Sequence, residues 1–226
     1  MCAMRSPVVG IIGGTGREGG ALAIRLAHSG YRVAIGSRSP ERAAEKAHEL
    51  ATVLRSLGLS PTISGAINSD VTQSVDILFL AVPYPQVIDA ARGLLFRPET
   101  IVVDTSVPVK FEEGRAKLDS VESGSVSEQL RGIIPPQIPL VGAFKTIPAW
   151  ALSDIDSDLD CDVFVCGDSD EAKKAVMGLV DQISDLRAAD AGPLSAAGTL
   201  ERMSVLAIDI NLRYKIKASR FRVIGL

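Results

Sequence analysis

Short apolar runs alternate with amphipathic segments through the first half of the chain. The runs are rich in Val, Ile and Leu, as is typical of strands buried on both faces, and the segments between them have apolar residues at helical spacing. This alternation predicts a parallel sheet with right-handed crossover helices. The predicted elements are a strand beginning at residue 8, a helix at 21–29, strands at 31–35, 62–67, 75–82 and 101–104, and helices at 41–57 and 86–95.

The periodicity lapses at residues 105–139, which are rich in Ser, Gly, Glu and Pro. We expect a loop there with one short helix near residues 125–130, and loops of this length are often functional or mobile. The pattern then returns. It predicts strands at 140–144 and 162–166, a helix at 170–186 with an acidic start, and a long helix at 195–214.

The first apolar run leads directly into a glycine-rich turn, Gly13-Gly14-Thr15-Gly16-Arg17-Glu18-Gly19. Its glycines permit a tight turn and a close approach of the backbone to a pyrophosphate, which would lie at the positive end of the following helix. The turn lies within a complete strand-turn-helix-strand unit, which is the context that this pattern requires. The sequence therefore predicts a dinucleotide-binding, Rossmann-like doubly wound α/β fold with a mostly parallel sheet.

The end of the second predicted strand indicates which dinucleotide is bound. An NAD site usually places Asp or Glu there, whereas this chain has Gly36-Ser37-Arg38-Ser39-Pro40-Glu41-Arg42. The planar guanidinium groups of Arg38 and Arg42, with the Ser37 hydroxyl, suit the 2′-phosphate of NADP. For Arg42, a solvated position at a helix start is an equally good interpretation.

Composition favours one compact unit. The chain has 226 residues, 46% of them hydrophobic, with a mean hydropathy of +0.23, so it can bury a substantial core. We expect a dinucleotide-binding portion at residues 1–140 and a smaller C-terminal α/β portion at 141–226 that completes the cofactor cleft and ends in the long helix.

Charge and cysteine content exclude several functions. A net charge of −3 provides no general basic surface for nucleic acid, and no stretch approaches the roughly twenty apolar residues of a membrane span. Residues 1–7 lack the apolar core of a secretory signal. Cys2, Cys161 and Cys166 form a sparse, odd set that indicates reduced thiols in the cytoplasm and no metal site.

Together these residues resemble the NADPH-dependent reductases of coenzyme F420, also called F420H2:NADP oxidoreductases, over nearly the whole chain. The resemblance implies reversible hydride transfer between NADP(H) and the 8-hydroxy-5-deazaflavin ring of F420, bound face to face in one cleft. The motifs that carry it are Gly13-Gly14-Thr15-Gly16-x-x-Gly19, Gly36-Ser37-Arg38, Val82-Pro83, Ala143-Phe144-x-Thr146-Ile147-Pro148-Ala149, Cys166-Gly167-Asp168 and Asp190-Ala191-Gly192-Pro193-Leu194.

The resemblance also implies roles for individual residues. Val82, beside Pro83 at a strand end, and Ala149 match positions near the nicotinamide. The chain departs from the family at Lys145, where some relatives have His or Asn, and in the charged pair Arg17-Glu18; both departures lie on the deazaflavin side of the cleft. Thr15, Gly16, Arg17 and Glu18 match the pyrophosphate and nicotinamide-proximal turn, and Ser37, Arg38 and Arg42 match the 2′-phosphate pocket.

No catalytic residue is predicted. His28 and His48 fall on predicted helices, and hydride exchange between two carriers needs mainly stacking and exclusion of water. Tyr84, Asp104 and Lys145 are the remaining candidates for an acid or a base. Two alternative functions are an NADPH-dependent reductase of another acceptor, such as a flavin, an imine or a ferric chelate, and a non-catalytic redox sensor that binds NADP.

The C-terminal segment favours partners of two kinds. Residues 200–212 are apolar over much of the helix circumference, which predicts a homodimer through this helix, with simple burial in the core as the alternative. The basic residues after it suit the phosphodiester and glutamate tail of F420, although basic residues are also common at a helix end. These residues are Arg213, Lys215, Lys217, Arg220 and Arg222.

Overall fold

The computed structural model describes residues 6–226, and Cys2 lies outside the described residues. Eight strands form one sheet in the order β10-β9-β8-β5-β4-β1-β2-β3, and all neighbours are parallel except β8 and β9. The predicted α/β, doubly wound, mostly parallel fold is therefore confirmed. In chain order the strands are β1 (Val8–Ile12), β2 (Arg32–Ser37), β3 (Ile63–Ile67), β4 (Ile77–Leu80), β5 (Ile101–Asp104), β6 (Val109–Glu112), β7 (Arg115–Leu118), β8 (Leu140–Gly142), β9 (Cys161–Gly167) and β10 (Leu186–Gly192).

Helices cover both faces of this sheet. Serine side chains cap three of them by accepting a hydrogen bond from a backbone N–H in the first turn: Ser39, Ser125 and Ser169. A 3₁₀ turn, Leu194–Ala196, precedes the last helix. The helices are α1 (Arg17–His28), α2 (Pro40–Ser56), α3 (Asn68–Thr72), α4 (Gln86–Arg92), α5 (Val126–Arg131), α6 (Ala149–Ser153), α7 (Asp170–Val180) and α8 (Ala197–Tyr214).

Side chains alternate between two core layers along the central strands. On β4, Phe79 packs with the cluster that contains α1, α2 and α7, whereas Leu78 packs with the cluster that contains α4 and α5. The rings of Phe79 and Phe144 meet edge to face at 5.7 Å, and β8 pairs with β5. One continuous sheet therefore joins the residues before and after position 140.

The segment at residues 105–139, predicted as a loop with one short helix, also contains a hairpin. Strands β6 and β7 pair only with each other, and most of their residues are exposed, so no buried face imposes an alternating pattern. The backbone N–H of Ala116 donates to Asp209 Oδ1 at 3.1 Å, which fixes the hairpin to α8. The predicted short helix is α5.

The predicted helix at residues 170–186 was too long. α7 ends at Val180, a turn with Asp185 at φ +65° follows, and β10 begins at Leu186. Sequence analysis assigned no strand to β10 because Leu-Arg-Ala-Ala-Asp-Ala-Gly is poor in the β-branched and aromatic residues of most strands. The short helices α3 and α6 were also not predicted.

The C-terminal basic segment packs against β9 and the loop before it. Asp162 N donates to Phe221 O at 2.9 Å, and the guanidinium of Arg187 bridges the Asp162 carboxylate and Val223 O. Arg222 forms an ion pair with Asp160, and Arg220 donates to a neighbouring carbonyl. Five basic side chains were predicted to suit the acidic tail of F420, and two of them, those of Arg220 and Arg222, thus bind other residues of this protein.

Across residues 6–226, no helix combines the length and the apolar character needed to cross a lipid bilayer.

Candidate functional site

A crevice is expected at the carboxyl ends of β1 and β4. Strand β1 lies between β2 on one side and β4 on the other, so the chain winds away from β1 in both directions. Open α/β sheets bind ligands at such a switch point, outside the carboxyl ends of the strands. Several predicted site residues lie at these carboxyl ends. The glycine turn follows β1, and Ser37 is the last residue of β2. Val82 and Pro83 come shortly after β4, and Thr105 comes directly after β5.

The glycine turn has a backbone that only glycine satisfies. Gly13 has φ +81°, and a Cβ at this position would lie 2.5 Å from the carbonyl oxygen of Ala81. A Cβ at Gly19 would lie 2.4 Å from the oxygen of Gly13, so this glycine lets α1 pack against the turn. Gly16 is the N-cap of α1 and supplies no side-chain cap, which leaves N–H groups of the first turn available to an anion. This cradle fits a pyrophosphate.

The end of β2 presents two exposed guanidinium groups. Ser37 Oγ accepts from Ser39 N at 3.2 Å, and Ser39 Oγ accepts from Arg42 N at 3.2 Å, which shapes the loop and begins α2. Within residues 6–226, the side chains of Arg38 and Arg42 form neither a hydrogen bond nor an ion pair. Both cations are therefore available to an external anion.

Asn68 is a polar residue at this end of the crevice that sequence analysis did not identify. It begins α3, its Oδ1 is buried without a hydrogen-bond partner, and a Cβ at Gly36 would lie 2.8 Å from that oxygen. Buried acceptors normally have a donor. An isolated Asn after a half-buried strand gives little sequence signal.

The predicted nicotinamide-end residues lie on two different elements. Val82 is half-buried, and its Cγ2 would be 2.9 Å from a Cβ at Gly13, so it lies against the glycine turn. Ala149 begins α6, which packs against α1 through Arg25; the Arg25 guanidinium donates to the carbonyl oxygens of Ala151 and Leu152. Pro83 is exposed just beyond β4.

A fully buried charged network lies behind the end of β5. Lys145 Nζ donates to Asp104 Oδ2 at 2.7 Å, to Ser106 O at 2.6 Å and to Glu201 Oε1 at 3.2 Å. Ser127 Oγ donates to Asp104 Oδ2 at 2.6 Å. The side chains of Lys145, Asp104 and Glu201 have no exposed surface. Asp104 and Lys145, two of the candidate acid or base groups, are therefore internal ion-pair partners.

Glu201 brings α8 into the network. Its Oε1 also accepts from Val126 N at 3.0 Å, whereas its Oε2 has no hydrogen-bond partner. Burial raises the pKa of Glu201, with Lys145 acting in the opposite direction. Burial alone lowers the pKa of Lys145, but Asp104 and Glu201 outweigh it and raise that pKa. Sequence analysis did not identify Glu201, which stands beside Arg202 and Ser204 in the long helix and has no local pattern that indicates burial.

Glu18 links the glycine turn to this network. It is half-buried in the first turn of α1, near Thr105, and it interacts electrostatically with Asp104 and Lys145. Burial raises the pKa of Glu18 to about 7; Asp104 also raises that pKa, whereas the Thr105 hydroxyl and Lys145 act in the opposite direction. Sequence analysis assigned Glu18 only to the cofactor turn.

Comparisons with known proteins identify the family. Residues 8–108 match the family model described as NADP oxidoreductase, coenzyme F420-dependent. The F420-dependent NADP reductase of Methanocaldococcus jannaschii is 34% identical over 221 residues, which cover 96% of this chain and 98% of that protein. The chain belongs to the F420-dependent NADP reductase family.

A solved structure and a larger protein are also similar to this chain. A solved structure from Arthrobacter sp. FB24, provisionally described as an F420-dependent NADP reductase, superposes with a TM-score of 0.77 at 24% identity, covering 96% of this chain and 99% of that chain. The metalloreductase STEAP3 of Rattus norvegicus is 30% identical over 98% of this chain but only 40% of its own length. This chain is thus similar in sequence to a segment of a larger reductase.

The buried network makes Lys145 important for the stability of this reductase family member. Replacing it in Lys145→Met leaves Asp104 and Glu201 buried without their cation, so we expect the free energy of unfolding to fall by about 3–5 kcal/mol. The matched control is Lys117→Met, which removes an exposed ion pair with Glu112 and changes that free energy by less than about 1 kcal/mol. Urea unfolding at pH 7 measures both variants. Equal losses in the two would contradict the assigned role of the network.

Glu18 predicts a pH dependence of stability. Because its pKa is raised in the fold, its contribution is full below the unfolded value near 4.5 and is lost as the pH rises through about 7. Gln does not titrate, so Glu18→Gln lacks this loss. From pH 5 to pH 8, we expect the stability difference to shift by about 2 kcal/mol in favour of the variant. Urea unfolding of the ligand-free proteins tests this, with the exposed Glu45→Gln as control; a constant difference would refute it.

Proposed function

We propose that this protein catalyses reversible hydride transfer between NADP(H) and the deazaflavin coenzyme F420. The observation that carries this proposal is its relationship to the M. jannaschii F420-dependent NADP reductase over nearly the full length of both chains. The carriers supply the redox chemistry, since the nicotinamide donates or accepts a hydride and the deazaflavin does the reverse. The protein binds them, orients them and excludes water.

The glycine turn is proposed to hold the pyrophosphate. Gly13 and Gly19 let the turn pack closely against Ala81 and against its own backbone, and the first turn of α1 supplies N–H donors for the phosphate oxygens. Gly14, Thr15 and Gly16 complete this cradle, and the exposed Arg17 adds a cation at its rim. Glu18, in the same turn, faces away toward Thr105 and β5.

The end of β2 is proposed to select NADP over NAD. Ser37, Arg38 and Arg42 present one hydroxyl and two available guanidinium groups where an NAD site usually presents a carboxylate. A phosphate dianion suits these donors. The unpartnered Oδ1 of Asn68 is placed to accept from a hydroxyl of the bound adenosine ribose.

Val82, Pro83 and Ala149 are proposed to border the nicotinamide. Val82 lies against the glycine turn at the end of β4, on the side of β1 away from the 2′-phosphate pocket. The half-buried Tyr84 follows it in the same loop. Because Asp104 and Lys145 are held in the buried network, the site supplies shape and electrostatic field rather than an exposed acid or base at these positions.

Two features support the remaining parts of the proposal. Leu206 and Leu212 on α8 are about half exposed, which supports a homodimer through this helix. Arg213, Lys215 and Lys217 are exposed, and the Lys217 carbonyl accepts from the indole of Trp150, the residue after Ala149. The basic segment therefore starts close to α6, in a place suited to the acidic tail of F420.

We place the enzyme in the cytoplasm, consistent with the buried free thiols of Cys161 and Cys166.

The first test is spectrophotometric. With NADPH and oxidised F420, we expect the visible absorbance of the deazaflavin to disappear in proportion to the NADPH consumed, with kcat/KM for NADH at least about 100-fold lower. No bleaching despite measurable NADPH binding would discard F420 as the acceptor. Reduction of a ferric chelate in its place would favour the function named for the rat metalloreductase, and binding without turnover of any acceptor would favour a redox sensor.

The second test concerns the 2′-phosphate pocket. In Arg38→Ala we expect the KM for NADPH to rise about 10- to 100-fold, because a charge-assisted hydrogen bond contributes about 1.5–3 kcal/mol. The KM for NADH should stay unchanged, since NADH lacks that phosphate. The matched control is Arg32→Ala, an exposed arginine at the opposite end of β2. A similar rise for both nucleotides would place Arg38 outside the phosphate pocket.

A further inference from the structure

A buried arginine on α1 is bonded to the end of α6. Arg25 is 3% exposed, and its guanidinium group donates to three backbone carbonyl oxygens. Nε donates to Leu152 O at 2.9 Å, and Nη2 donates to Ala151 O at 3.1 Å and to Asp154 O. In the part of the chain that the structure describes, no carboxylate forms an ion pair with this group. Its hydrogen bonds are therefore all directed at one short piece of backbone.

The carbonyl groups that Arg25 binds belong to a helix end. α6 has only five residues, Ala149–Ser153, and the last carbonyl groups of a helix have no partner within it. A helix this short is not stable by itself in water. No side chain caps its start, where Pro148 is the N-cap residue. The position of α6 therefore depends on contacts with the rest of the protein, and Arg25 supplies such contacts at its C-terminal end.

Arg25 connects two proposed parts of the cofactor site. The glycine turn leads into α1 at Gly16, and Arg25 lies on the same helix roughly 14 Å further along, at 1.5 Å per residue. The helix that it binds, α6, begins with Ala149, which is proposed to border the nicotinamide. One helix, α1, therefore holds both the pyrophosphate cradle and the wall beside the ring.

We propose that Arg25 is a positioning residue for hydride transfer: it fixes α6 against α1, so that the wall beside the nicotinamide keeps one place relative to the pyrophosphate cradle. The inference rests on the proposed function. A hydride passes between two rings only when the donor and acceptor carbons are close and aligned, and a misplacement of about 1 Å can lower the rate about 100-fold. Arg25 acts on this alignment through α6, without touching either carrier.

The contact requires a guanidinium group and not only a positive charge. The planar fork of N–H groups donates in fixed directions, whereas the ammonium of lysine is a compact charge on a flexible stem. Arg25→Lys keeps the charge and most of the apolar stem, but it does not reproduce three directed bonds. The substitution should therefore loosen α6 and leave the pyrophosphate cradle at the start of α1 intact.

The chain offers a matched control in a second arginine that binds backbone carbonyls. Arg131 donates to Ile138 O at 2.8 Å, to Ile134 O at 2.7 Å and to Pro135 O at 2.6 Å. These carbonyls lie before β8, which is parallel to β5, so they are at the edge of the sheet opposite the crevice. Arg131→Lys thus disturbs the same kind of contact, with a similar loss of stability, away from the cofactor site.

A single-turnover experiment tests the proposal. The full-length protein is loaded with NADPH and mixed rapidly with oxidised F420, and the dissociation constant for NADPH is measured separately. In Arg25→Lys we expect the rate of hydride transfer to fall about 10- to 100-fold and the dissociation constant to change less than about twofold. In Arg131→Lys the rate should match wild type. An unchanged rate in Arg25→Lys, an equal fall in both variants, or an equally large loss of NADPH binding would overturn the inference.

The single tryptophan of the chain gives a readout that needs no acceptor. Trp150 lies on α6 and is 40% exposed, with its indole N–H bonded to Lys217 O. Quenching of its fluorescence by acrylamide should become about twofold more efficient in Arg25→Lys and stay unchanged in Arg131→Lys. Equal quenching in Arg25→Lys and wild type would overturn the role of Arg25 whatever the acceptor. The expected quenching in a wild-type protein that does not reduce F420 would overturn the proposed function and leave the fixing of α6 by Arg25 supported.

Discussion

The arrangement of the crevice depends on one buried cation. Lys145 joins the carboxylate at the end of β5 to a carboxylate on α8, and it also binds the backbone carbonyl of Ser106. Ser204 Oγ donates to the Lys145 carbonyl at 2.7 Å, so α8 holds the backbone as well as the side chain of this residue. Because three elements distant in sequence are joined in this way, the position of α8 is coupled to that of the strand ends that border the crevice.

This network is not arranged for maximum stability. Burying charges costs free energy that ion pairing does not always recover, and well-packed apolar residues often stabilise a core equally well. Glu201 Oε2, which is buried without a partner, adds a desolvation cost of its own. What the network supplies is a fixed geometry and excess negative charge beside the site. Burial raises the pKa of the neighbouring Glu18, and within the network Asp104 adds to this effect while Lys145 opposes it.

The local parts of this structure could be predicted from the sequence, and the long-range parts could not. The glycine turn, the strands with apolar runs and the basic loop after β2 each have short sequence signals, and the structure contains every one of them. The hairpin β6–β7 has almost no buried face, and β10 is rich in alanine, so both lacked a signal. Lys145 lies 41 residues from Asp104 and 56 from Glu201, and nothing in the chain indicates that these three meet.

The charged pair in the glycine turn can be understood through the network behind it. In the sequence alone, Glu18 is a poor choice for a turn that binds phosphates, because a carboxylate repels them. In the structure, α1 turns Glu18 toward Thr105 and the end of β5, while Arg17 stays exposed at the rim. The anion-binding face of the turn thus remains free of negative charge. The carboxyl group lies instead beside Asp104 and Lys145, so one helical turn joins the phosphate-binding turn to the buried network.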